Sequence, residues 1–147
     1  MKINVFWDLM SAIDQEALDE GDEDSAYEPL IKLLAQKSED EINLFQEILA
    51  QTLHDIDGKA WCDESGESAD AAEDFFNVRS YVVAKGKDFY EEVLNDPEAM
   101  PKTADQWAPS IMLIAPQAWA IATDDKIDNY DFEPSVEIES GSNEAQW

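Results

Sequence analysis

Positive charge is scarce in this chain: nine Lys and Arg residues stand against 35 Asp and Glu, for a formal charge of -26. A surface of that sign repels phosphate backbones and anionic lipid, which sets direct binding of nucleic acid or membrane aside. One cysteine, Cys62, excludes an internal disulfide framework and a cysteine zinc cluster, as expected of a reducing compartment. One histidine, His54, rules out a site built from two histidines, and any Ser-His-Asp arrangement would have to use it. The longest apolar stretch, Ile111 to Ala122, is interrupted by Pro116 and Gln117 and falls short of the roughly 20 residues of a membrane span. Asp8 and Asp14 come too early for a signal peptide. A soluble, cytoplasmic protein is the expectation.

What is present is a core. The chain of 147 residues is 44% hydrophobic, with five Trp, six Phe and four Tyr, too rich in large apolar side chains for wholesale disorder. Phe6, Leu9, Met10, Ile13 and Ala17 recur at steps of three and four and predict a first helix over about residues 3–18. Glu20 to Ser25 reads as a charged connector, and Leu30, Leu33 and Leu34 mark a second helix starting near Glu28-Pro29. Ser38 and Glu41 form a capping box ahead of Ile42, Phe45, Ile48, Leu49, Thr52 and Ile56, a third helix. Residues 62–69 read as a loop, followed by helices over about 69–85, with Gly86 at its end, and through Phe89, Tyr90, Val93 and Leu94 up to Asp96-Pro97. Thr103 can cap a last helix carrying Trp107, Ile111 and Ile114, which Pro116 is expected to break. The expected fold is all-α: a single-domain bundle of about six helices over residues 1–123, with an acidic tail over 124–147 that is mobile unless Tyr130, Phe132, Val136 or Ile138 dock.

The run Val78-Arg79-Ser80-Tyr81-Val82-Val83-Ala84-Lys85-Gly86, with Asp96-Pro97 after it and Phe6-Trp7-Asp8-Leu9-Met10 before it, resembles a bacterial helical domain family of unknown function. That family's helix reads Phe-Arg-x-Trp-Leu-Ile-x-x-Gly and is followed by Asp-Pro. The resemblance spans about residues 5 to 100 in pieces and implies a helical fold. The family's glycine-rich turn stands here as Gly66-Glu67-Ser68-Ala69-Asp70.

Arg79, the only arginine, lies one turn after Phe75 on the apolar side of its helix. A guanidinium cannot shed its charge, so burial there calls for carboxylate or carbonyl acceptors; a structural ion pair to the first helix or the loop before Asp74 is expected, ahead of anion recognition. His54 sits off its helix stripe beside Asp55 and Asp57 and reads as solvent-facing. Carboxylates are too abundant for any pair to indicate acid-base catalysis, and neither Asp14–Asp24 nor Asp124–Asn129 has calcium-loop spacing. No catalytic residue, metal or cofactor is assigned.

Charge distribution says more. Seven acids and no base fall in Asp14, Glu16, Asp19, Glu20, Asp22, Glu23 and Asp24, and eight acids face Lys59 alone between Asp55 and Asp74. Such blocks repel themselves and are best rewarded by a basic partner, although solubility alone is the plain alternative. The expected partner is a basic protein, such as a nuclease toxin or a nucleic-acid-binding protein, occluded in the manner of an immunity protein or a DNA mimic. The candidate contact residues are the seven acids above with Asp55, Asp57, Trp61, Asp63, Glu64, Glu67 and Asp70, and Tyr81 as a further aromatic anchor. The other class of reading is a regulatory or scaffold module without catalytic activity.

Overall fold

The computed structural model describes residues 1–103 and 106–147, and the side chains of these except Glu67 and Ser68. Among the described residues it is all-helical, with eight α-helices, short 3-10 turns and no strand. None of its helices is long and apolar enough to cross a membrane. The chain forms two compact units, residues 1–49 with 110–135 and residues 50–109 with 136–147.

In the first unit the apolar stripe that predicts one opening helix folds as two, α1 (Ile3–Met10) and α2 (Gln15–Asp19). The break is made by Asp14, whose carboxylate accepts from the Glu16 and Ala17 amides and so starts a new helix. Helix α2 stops at once: Gly21, with φ at +79°, lets its amide donate to the Leu18 carbonyl and that of Asp22 to the Ala17 carbonyl. Asp22 then caps α3 (Glu23–Leu34) by accepting from the Ser25 amide. The expected connector is thus partly helix, and α3 begins one and a half turns ahead of Pro29, which lies inside it. Helix α4 (Glu39–Asp55) starts from Ser38, whose hydroxyl accepts from the Glu41 amide, as the capping box predicts. Its residues 39–49 belong to the first unit and 50–55 to the second. Phe6, Met10, Leu30, Leu34, Ile42 and Phe45 are fully buried, with the Phe6 and Phe45 rings 5.2 Å apart.

The predicted helix from Thr103 through Trp107 is not there: residues 106–108 are irregular, and positions 104 and 105 lie outside the described residues. A 3-10 turn over Ile111–Leu113 leads instead into the helix Ile114–Thr123. Pro116 does not break this helix, because it is the third residue, where an amide has no helical acceptor to lose. Beyond it, the Tyr130 hydroxyl donates to Asn43, the Trp119 indole to Glu39, and the Ser135 amide and hydroxyl to Glu47. Burial, aided by Asp131, pushes the Tyr130 phenol up to about 12.

The second unit holds α5 (Lys59–Ser65), α6 (Ala72–Ala84) and α7 (Lys87–Asn95); the helix Ile114–Thr123 of the first unit is α8. The segment 62–69, expected as a loop, is the body of α5 and a 3-10 turn. It is helical because Trp61 turns inward, donating its indole N–H to the Val93 carbonyl at 2.8 Å. Gly58 precedes α5 and lies against that indole, where a Cβ would come within 2.7 Å of the ring. Leu53, Ile56, Phe75, Val78, Val82 and Val93 fill the core. Gly86, at φ +107°, separates α6 from α7, and α7 ends at Asp96-Pro97 as predicted.

Candidate functional site

The acidic run of the first unit holds two helix starts, with Asp19 and Glu20 at the end of α2 between them. Asp14 and Asp22 cap α2 and α3, and Glu16, Glu23 and Asp24 occupy their first turns, where the helix dipole favours negative charge. Hydrogen bonds from the Ser25 hydroxyl and the Ser25 amide hold the Asp22 carboxyl below the usual range. Asp14, Glu16, Asp19, Glu20, Asp22 and Asp24 are all exposed. Glu23 is not free: one of its oxygens accepts from the Tyr27 hydroxyl at 2.8 Å and the Ser110 amide at 3.0 Å. Burial and the Glu23 charge push the Tyr27 phenol far up, so that it remains a donor to Glu23.

The second acidic block divides differently. Asp55, Asp63 and Asp70 are exposed and Glu64 is half-buried. Lys59 pairs with Asp63 at 2.7 Å and Lys102 reaches Glu64 at 3.5 Å. The Glu67 side chain lies outside the described residues. Two expected surface residues are buried and drop out of any exposed contact. Trp61 packs into the core, and Asp57 has no solvent exposure at all. Tyr81 is likewise buried. Their hydrophobic or polar demand is met inside the unit, which charge and composition alone do not reveal.

Asp57 and Arg79 together hold the C-terminal segment of this unit. The Asp57 carboxylate accepts from the Gly141 amide at 3.0 Å, the Asn143 amide at 3.0 Å and the Trp147 indole at 3.0 Å. Gly141, at φ +93°, turns the chain so that these amides converge on the carboxylate. Arg79 donates to the Leu53 carbonyl at 2.9 Å, the Ile138 carbonyl at 2.8 Å and the Ser140 hydroxyl at 3.1 Å. Its guanidinium also lies 4.8 Å from the centre of the Phe75 ring. These acceptors are two carbonyls and a hydroxyl, where the sequence reading expects an ion pair, and they sit at the end of α4 and in the C-terminal segment, not on α1 or before Asp74. Burial draws the guanidinium down to about 10, against the nearby charge of Asp57, so it stays a cation near neutral pH. The Asn143 side-chain amide donates to the His54 carbonyl and the Gln146 side-chain amide to that of Asp55, while the His54 ring lies 2.9 Å from the Glu137 carbonyl. His54 is therefore half-buried and engaged, not simply solvent-facing.

Cys62 borders a small cleft with Phe75, Gly141 and Trp147, away from His54. Burial, with Asp63 adding to it, pushes its thiol up, which disfavours the thiolate a nucleophile needs. Among the described residues no group of three or more His, Cys, Asp or Glu side chains is placed to hold a metal ion.

A family profile described as "Protein of unknown function (DUF4240)" matches residues 1–129. The chain belongs to the DUF4240 family. Both acidic runs, Asp57 and Arg79 lie within the DUF4240 match, and Gly141, Asn143 and Trp147 lie beyond it. No curated protein and no solved structure matches this DUF4240 chain.

Proposed function

We propose that this chain is an acidic binding protein that neutralises a basic partner protein in the cytoplasm, as a bacterial toxin's immunity protein or a DNA-mimic inhibitor does. One observation carries the reading: six carboxylates between Asp14 and Asp24 stand in solvent, four at the starts of α2 and α3 and two, Asp19 and Glu20, at the end of α2, with no basic residue in the run. Their field steers a cationic surface toward the chain, and they can take the positions of substrate phosphates in a nuclease cleft. Asp63 and Asp70 add exposed charge from the second unit. The competing reading, a regulatory or scaffold module without catalytic activity, draws on the capping roles of Asp14 and Asp22, which give those acids a purpose inside the chain.

The test is capture of basic proteins on the immobilised chain at low salt, followed by a salt gradient. It is run beside a variant carrying Glu16→Gln, Asp19→Asn, Glu20→Gln and Asp24→Asn, which leaves both caps in place. The reading requires a partner that is released as salt rises and held less tightly by the variant. A partner whose affinity ignores both changes overturns it. A reading frame for a secreted toxin beside the gene would support the immunity form.

A further inference from the structure

The first unit carries a second feature, on the side of α3 that faces α8. A groove of about 360 Å³ runs between the two helices, lined by Tyr27, Ile31, Leu113, Gln117 and Ile121. Gln117 and Ile121 also line an adjoining, more open hollow that extends to Ile127. Leu113, Gln117 and Ile121 are spaced by four residues and form one ridge. Three large apolar side chains along this path are left in water: Ile121 at 62% exposure, Leu113 at 48% and Ile127 at 45%. Carboxylates border the path: Glu23, Asp24 and Glu28 on the α3 side of the groove, and Asp124, Asp125 and Asp128 around the adjoining hollow. Two lysines interrupt this border: Lys32, whose ammonium is 2.7 Å from Glu28, and Lys126. The path is therefore an apolar floor with carboxylates along its α3 edge and around its far end, continuous through Glu23 and Asp24 with the acidic run.

We propose that this groove docks an amphipathic helix of the partner, with an apolar stripe seated on Leu113, Ile121 and Ile127 and Lys or Arg residues facing the carboxylates of α3 and of the adjoining hollow. The argument is charge complementarity. A groove between two helices accepts a third through side chains spaced at three and four residues. Six bordering carboxylates against two lysines select facing residues of positive charge. An acidic or uncharged helix would leave those carboxylates facing like charge or losing water without compensation. The inference rests on the basic-partner reading and adds to it where the partner binds and in what conformation.

The probe is a labelled helical peptide of Leu and Lys, about 18 residues or five turns long. It is titrated into the full chain by fluorescence anisotropy beside the same peptide with Ser in place of Leu. The Leu/Lys peptide is expected to bind at least about tenfold more tightly than the Ser/Lys peptide. Ile121→Asp is expected to weaken it by about tenfold or more, while Leu44→Asp, at an exposed apolar position elsewhere in the unit, leaves it unchanged. Both variants alter exposed side chains, and circular dichroism shows whether each keeps its helices. Equal binding of the two peptides, or an Ile121→Asp chain that binds as tightly as the unaltered one, overturns the groove. If the captured basic partner still responds to the four-residue neutralised variant but not to Ile121→Asp, the groove fails and the acidic-run reading stands. If it responds to neither, both fail.

Discussion

The carboxylates of the first unit's acidic run and the carboxylate of Asp57 belong to the same residue class, and the chain uses them in opposite ways. Apart from Glu23, the acids from Asp14 to Asp24 remain hydrated, and Asp14 and Asp22 accept from amides two or three residues on. Asp57 is fully buried and serves amides 84 and 86 residues away and an indole 90 away. A hydrated carboxylate costs the fold little to keep or lose, and so is open to a role outside the molecule. A buried one is committed to the fold, since removing it strands the donors that face it. The difference lies in the partners of each residue and not in the density of charge along the chain.

That contrast can be tested by removing one member at a time. The largest expected effect is at Asp57: Asp57→Ala leaves three donors without an acceptor and should cost about 3–5 kcal/mol in denaturant unfolding. Fast amide exchange over Val136–Trp147 would show the loosened segment, and a stability loss under about 1 kcal/mol would break the contrast. Arg79→Met comes next, at about 2–4 kcal/mol, because the Leu53 and Ile138 carbonyls lose a charged donor while an apolar chain keeps much of the volume. The hydrated side should respond far less. Asp14→Ala is expected to cost about 1 kcal/mol, the value of a helix cap, read from the same unfolding curves. Glu20→Gln should change stability by no more than about 0.5 kcal/mol, while lowering the salt sensitivity of partner binding. A Glu20→Gln chain as damaged as Asp57→Ala would show that the acidic run is also built into the fold.

Much of the helical content was legible because its signals are local. The stripe from Ile42 to Ile56 with its Ser38 cap, the Gly86 turn and the Asp96-Pro97 stop are written within a few residues of where they act. Two starts were missed for an equally local reason: Asp14 and Asp22 read as charge when each is also a cap, as Asp-x-x-Ala and Asp-x-x-Ser allow. Helix α5 was missed because its burial depends on Trp61 reaching Val93, 32 residues on. For the C-terminal segment a signal existed. Tyr130, Phe132, Pro134, Val136 and Ile138 alternate with Asp131, Glu133, Ser135, Glu137 and Glu139, and the first set turns inward while the second faces solvent. The burial of Asp57 had no such signal, since Asp57-Gly58 looks like any polar helix end and its partners are at the far end of the chain.

The grip on the last twelve residues is largely indifferent to their lettering. Arg79 reads the Ile138 carbonyl and Asp57 reads the Gly141 and Asn143 amides, all of them groups that nearly every amino acid supplies. Outward positions such as Glu137 and Glu139 can therefore drift or be rewritten, for instance to carry a reporter or a different charge, while the segment stays moored. Only the few places where shape or a side chain is itself the message, Gly141 above all, are closed to such revision.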